Sequence, residues 1–236
     1  MKIAYCFSGH LRTFRQNTTL RPLLFDVNPP ADVFVHTYSH HNFYGQKWHS
    51  DHVGSNEVVT PENREWIYKT YPGTAATRFH VDEKIAGYLY MPLLLQNCGF
   101  RHTRQEVNEI REHYEWVNKI KYDVVVMLRF DIGLREPFII PEVIEPNTLY
   151  ASYNFNMIRK DLDSDVITYG APDVIDAVNI PAVPPELVDK IDSNEMCGEK
   201  LCTAVRQMRG IKYKIHPVRH FFYRSNSELD VDSTGM

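Results

Sequence analysis

Three short segments carry residue types that together suit a phosphorylated ligand. The first is Ser8-Gly9-His10-Leu11-Arg12, which follows a short apolar run. Glycine lets the backbone approach a ligand closely, a helix opening after it turns N–H groups toward an anion, and Arg12 adds a bidentate cation. The second is Thr37-Tyr38, after Asp32-Val33-Phe34-Val35-His36. The third is Arg129-Phe130-Asp131, directly after Val124-Val125-Val126-Met127-Leu128. A carboxylate at the end of so apolar a run is a costly place for unpaired charge. It suits a hard divalent cation, Mn²⁺ or Mg²⁺, bridging to a diphosphate, because such ions favour oxygen ligands. It also suits an ion pair of Asp131 with Arg129 or Arg135, and the residue types leave both readings open. Segment 8–12 is likewise compatible with a plain strand-to-helix turn.

The elements that must position these residues follow from hydrophobic periodicity. A strand over 2–8, a helix over 11–25 and a strand over 32–37 make one βαβ unit, which implies parallel neighbours and a right-handed crossover. Pro61 opens a helix through Tyr71, and 78–81 and 82–97 read as a strand and a further helix. Thr103 and Glu106 form a capping-box pattern, and Val107, Ile110, Tyr114, Val117 and Ile120 continue it as a helix to Tyr122. The run 123–128 is continuous and β-branched, as expected of a central strand covered on both faces. Strands over 148–153, 166–169 and 211–218 follow, with helices over 172–178 and 193–209, the latter stopped by Gly210. The expected architecture is a mixed, mainly parallel α/β sheet with helices on both faces. It forms one domain over 1–226, with 227–236 a polar, flexible tail. In such sheets ligands bind outside the carboxyl ends of the strands, where the three segments fall.

Composition narrows the function classes. The chain has 236 residues, 43% hydrophobic and 24% charged, an ordinary globular balance. A formal charge of −4 provides no global field for nucleic acid or an acidic membrane surface. Cys6, Cys98, Cys197 and Cys202 lack the spacing of a zinc or redox motif and fit reduced thiols. No apolar run is long enough to span a membrane, and the expectation is a cytoplasmic protein. There is no GxxxxGK[ST], GxGxxG or GxSxG pattern, which argues against P-loop kinases, dinucleotide dehydrogenases and α/β-hydrolases.

The segments Cys6-Phe7-Ser8-Gly9-His10-Leu11-Arg12-Thr13-Phe14, Asp32-Val33-Phe34-Val35-His36-Thr37, and Tyr122-Asp123 leading into Arg129-Phe130-Asp131 occur in this order. In this the chain resembles small glycosyltransferases of bacteria, phages and large viruses. The resemblance implies a GT-A (Rossmann-like) fold, a nucleotide-sugar donor such as a UDP- or GDP-sugar, and a glycan or other hydroxyl acceptor. It implies nucleotide contacts from Ser8, Gly9, His10, Arg12, Thr37, Tyr38 and Arg129. Asp131 then stands at the metal-binding Asp-x-Asp motif, with Arg129 in place of the first aspartate, and His216 or His220 at the position of a late metal-ligating histidine. Asp192, Glu195 and Glu199 stand where the family carries a catalytic base. Acidic residues at a helix start also serve the helix dipole, so any one of the three has a structural alternative.

The loop after His36 holds His40, His41, His49 and His52 with Phe43, Tyr44 and Trp48. Its spacing fits no zinc motif, and an acceptor- or donor-contacting role suits it better. Two rival functions remain. One is a sugar-phosphate nucleotidyltransferase, for which Ser8-Gly9-His10 is a thin phosphate loop; the other is a non-catalytic nucleotide- or glycan-binding module of a larger protein.

Overall fold

Segment Val124–Leu128 is buried at every position because it lies in the middle of a sheet covered on both faces. The computed structural model describes residues 1–11, 14–38, 58–80, 98–152, 166–179, 198–224 and 227–229. Its strands, in chain order, are β1 Ile3–Ser8, β2 Ala31–Tyr38, β3 Thr74–His80, β4 Val124–Leu128 and β5 Ile132–Leu134. They continue with β6 Thr148–Ala151, β7 Ile167–Gly170, β8 Lys212–Ile215, β9 His220–Arg224 and β10 Ser227–Leu229. The main sheet has the order β3-β2-β1-β4-β7-β6-β8. Every neighbouring pair in it is parallel except the two made by β7, so β7 alone runs against the rest of that sheet.

Alternation along the strands divides the core into two layers. Ala4, Cys6, Phe34, Val125 and Met127 face one side, with Val107 of the long helix Cys98–Asn118 and Val174 and Ile175 of the short helix Pro172–Val178. Tyr5, Phe7, Val33, Val35, Val126 and Leu128 face the other, with Leu11, Phe14, Leu20, Leu24 and the helix Pro61–Thr70 through Ile67. The long helix ends shortly before β4 begins, so its first turns lie over the carboxyl edge of the sheet. The rings of His102 and His36 accordingly lie 6.2 Å apart.

Several expected boundaries move, each for a local reason. The helix expected over 11–25 is instead a 3₁₀ turn, Phe14–Gln16, and a π-helical turn, Arg21–Phe25. Pro22 removes an amide from the run, and Asn17 between the turns gives its side-chain amide to the Ile132 carbonyl. Thr19 accepts from the Leu134 amide at 2.8 Å, so this crossover serves as an edge for β5. The long helix starts five residues before Thr103, which is buried within it, and Glu106 faces His102 one turn back at 3.7 Å. The capping-box pattern thus lies inside the helix and does not mark its start. The helix stops at Asn118 rather than Tyr122, because Lys119 takes a left-handed φ of 54° and the Ile120 amide turns back to the Glu115 carbonyl.

A second sheet, β10-β9-β5, was not foreseen. It begins the segment expected as a frayed tail, since Ser227 pairs with Arg224. Gly133 permits it: a Cβ there would lie 2.3 Å from Phe221 Cζ. The expected helix over 82–97 lies outside the described residues, as does the histidine-bearing loop expected over 38–56 apart from Tyr38, which ends β2. Among the described residues no helix is long and apolar enough to cross a membrane.

Candidate functional site

The order β3-β2-β1-β4 means that the chain winds outward from β1 to β3 and then returns to the other side of β1. The connections from β1 and β4 lead away in opposite directions along the sheet, and in open α/β sheets ligands bind at the carboxyl ends of strands at such a point. Phe7 pairs with Leu128, so Ser8 and Arg129 leave the sheet side by side. Ser8 is buried and paired with His36 on the other flank. Gly9 takes φ 109°, and an added Cβ would meet nothing within 4 Å, so it is the backbone angle rather than space that asks for glycine. Its amide donates to the His36 carbonyl at 3.2 Å and is therefore engaged within the sheet edge. The chain then turns at Leu11–Phe14, with the Phe14 amide on the Leu11 carbonyl at 2.9 Å. The helix N-terminus expected after Gly9 is thus replaced by a turn, and Arg12 lies outside the described residues.

Around these strand ends the long-helix face is polar. His10 lies against Tyr38 with centroids 4.5 Å apart, and fully buried His36 lies 6.2 Å from Tyr38. Thr37 points into the opposite layer, where its buried hydroxyl has no hydrogen-bond partner among the described residues. Arg104, which sequence reasoning passed over, is buried beside these strand ends and donates from Nη1 to Thr168 Oγ1 at 3.1 Å. The signal was available: Arg104, Val107, Asn108 and Arg111 share one helix face, and the turns before a central strand must cover the carboxyl edge.

At the exit of β4, Arg129 and Asp131 form a side-on pair. Nε donates to Oδ1 and Nη2 to Oδ2, each at 2.8 Å. Asp131 is 2% exposed. Of the two arginines weighed for it, Arg129 is the partner, while Arg135 lies over the Phe221 ring at 4.9 Å. Phe130 between them points into the opposite layer, 5.6 Å from Phe7.

The two late histidines sit elsewhere. His220, buried on β9, lies opposite Leu134, whereas Phe222 lies opposite Ile132. This puts His220 three positions, about 10 Å, along the ladder from Asp131. His216 follows β8, and its amide donates to the Ala151 carbonyl at 2.8 Å. Three strand spacings, about 14 Å, separate the ends of β8 and β4. Its imidazole stacks on Phe138 at 4.8 Å and shares a 2.6 Å hydrogen bond with the Tyr169 hydroxyl, and burial holds its pKa below the ordinary histidine value. Glu199 lies on the helix Gly198–Met208, of which the first turn is described by its backbone alone; Asp192 and Glu195 lie outside the described residues.

A divalent-cation centre was expected at Asp131. In this structure both Asp131 oxygens accept from Arg129. Among the described residues no three His, Cys, Asp or Glu side chains converge on a point where a cation would sit. What the arrangement offers chemically is a guanidinium fixed at the end of β4, beside a glycine turn and an aromatic lip.

A different charged cluster secures the scaffold. Fully buried Arg111 donates to Glu115 at 2.8 Å and also pairs with Asp176 of the short helix. Glu115 in turn accepts the Tyr122 amide at 3.0 Å. The cluster clamps the long helix to the approach of β4, and burial beside it pushes the Cys6 thiol up to about 12. No protein-family model matches the chain, and no curated protein matches it.

Proposed function

We propose that the chain is a glycosyltransferase of the GT-A type, which moves a sugar from a nucleoside-diphosphate sugar, UDP- or GDP-linked, to a glycan or other hydroxyl acceptor. One observation carries the reading: the Gly9 turn and the Arg129–Asp131 pair meet at the point where the strand order reverses. Open α/β sheets bind nucleotides at such points. Gly9 permits close backbone approach of the ligand, and the His10–Tyr38 pair forms a lip against which a planar base stacks.

In the proposed reaction the acceptor oxygen attacks the anomeric carbon as its bond to the diphosphate oxygen breaks. The acceptor proton passes to a carboxylate, for which Glu199, Glu195 and Asp192 are the candidates. The leaving diphosphate gains charge, and Arg129, oriented by Asp131, supplies the fixed counter-charge. A guanidinium held by one fork edge is pre-organised and pays little for orientation at the moment of reaction.

The observation also fits a nucleotide-binding module without turnover, and a nucleotidyltransferase. Incubation of the full chain with UDP- and GDP-hexoses separates the three. Release of nucleoside diphosphate with transfer or hydrolysis of the sugar supports the proposal, release of pyrophosphate supports the nucleotidyltransferase, and binding without turnover supports the module.

A further inference from the structure

At the far end of the carboxyl edge, His216 is held more tightly than a loop residue needs. Its ring is stacked on buried Phe138 at 4.8 Å and 26°. Tyr169, 1% exposed, fixes it through the 2.6 Å contact to Nδ1. Tyr169 is itself stacked on Tyr150 at 4.8 Å and 12°, and edge-on to Phe138 at 5.6 Å. The Tyr150 hydroxyl closes the set by accepting the Glu145 amide at 3.2 Å. One imidazole is thus oriented by three aromatic rings.

The direction of the Tyr169 bond settles the tautomer. The phenol is a buried donor, and His216 Nδ1 is its hydrogen-bond partner among the described residues. A buried hydroxyl proton without an acceptor costs about 1–3 kcal/mol. The phenol O–H therefore donates to Nδ1, and the neutral imidazole carries its proton on Nε2. That nitrogen has no hydrogen-bond partner among the described residues and is not among their sealed-off polar atoms. The ring is half-buried, so Nε2–H is offered at the sheet edge.

We infer that His216 is a ligand-binding residue whose Nε2–H donates to a sugar hydroxyl, with Tyr169 as the residue that positions it. The inference rests on the glycosyltransferase reading for the ligand's class. A neutral donor suits an uncharged hydroxyl better than a phosphate. Its distance of about three strand spacings from the end of β4 places it past the diphosphate, toward donor sugar or acceptor. In this tautomer Nε2 has no lone pair for a metal, contrary to the role the family resemblance implied.

The test is long-range ¹H–¹⁵N spectroscopy of the full chain labelled at histidine, with the His216 signals assigned by their loss in His216→Gln. The ligand-free chain at neutral pH should show His216 with its proton on Nε2, and Tyr169→Phe should shift it toward a mixture of tautomers. An Nδ1–H tautomer, or selective broadening of His216 by Mn²⁺, would overturn the inference. The ligand arms use UDP- and GDP-hexoses against UDP and GDP, and methyl hexosides added to the diphosphate-bound chain. His216 Nε2 should respond to the hexose conjugates (donor sugar) or to the hexosides (acceptor), and not to the diphosphates alone. His216→Leu should weaken binding of that sugar-bearing ligand roughly three- to tenfold, the loss of one neutral hydrogen bond. His216→Gln, which keeps an N–H near the same point, should recover most of it, and diphosphate affinity should be the same in all three chains. If diphosphates bind but no sugar-bearing ligand moves His216, this assignment falls while the nucleotide site stands; if no nucleotide binds, both fall.

Discussion

Arg129 and Asp131 face each other side on, through two contacts of 2.8 Å, immediately after the fully buried strand β4. The pair gives Asp131 a task that the spacing of the residues alone leaves undecided. It holds the guanidinium plane at the end of β4, and on the proposed function Arg129 then meets the diphosphate. Asp131→Asn should therefore loosen Arg129 and lower both stability and nucleotide affinity. Removing one member of a buried pair costs about 3 kcal/mol, which melting and titration of one preparation would register. Nucleotide affinity of the unaltered chain should be the same with EDTA as with Mn²⁺. A variant with full stability and a lost Mn²⁺ dependence would return Asp131 to the metal reading.

Gly9→Ala tests the turn after β1. No atom stands within 4 Å of the added methyl, so the expected cost comes from φ 109° alone, about 1–2 kcal/mol. Urea unfolding should show that loss with an unchanged m-value. A neutral substitution would mean that the turn relaxes freely.

The Arg111 cluster is expected to be structural. Arg111→Met leaves Glu115 and Asp176 without their shared cation, and unfolding should become easier by about 3–5 kcal/mol. Asp176→Asn together with Arg111→Met should recover part of the loss. Equal loss in the single and double variants would count against the pairing as the cause.

Cys6 links burial to pH. The unfolded chain releases this proton near the ordinary value of 9.0 and the folded chain near 12. Between those values the folded state binds more protons, so this thiol's contribution to stability is full below pH 9 and falls as pH rises through the window. Alkylation of Cys6 by iodoacetamide at pH 8 should accordingly be slow in the folded chain and fast in denaturant. Rapid modification of the folded chain would show that the β1 layer opens.

Much of this was readable before any coordinates. The strands β1, β2 and β4 are apolar runs, and the βαβ unit made β1 and β2 parallel neighbours, so the strand ends that carry the three segments were legible, whereas the pairing of β4 with β1 was not. The 3₁₀ and π turns were not, because Leu11, Phe14, Leu20, Leu23 and Leu24 keep helical spacing while Asn17 and Thr19 answer to β5, a long-range partner. The β5–β9–β10 sheet was missed for a similar reason: Ile132–Leu134 is three residues long, and its signal lies in a contact, Gly133 against Phe221. Asp131 was legible as a buried carboxylate but its partner was not, since Arg129 and Arg135 are both near in sequence. Arg104 and the tyrosine behind His216 are tertiary facts that no motif announces.

On the proposed function, the carboxyl ends of β1 and β4 bind a nucleoside diphosphate through Arg129. The most direct measurement is the thermal stability of the full chain and of Arg129→Met against UDP, GDP, CDP and dTDP. The unaltered chain should be stabilised by at least one of them, by about 2.7 kcal/mol at one hundred times its dissociation constant. Arg129→Met, once shown to be folded, should lose most of that gain at the same concentration. No stabilisation of the unaltered chain by any of the four, or an equal gain in both chains, would contradict the account.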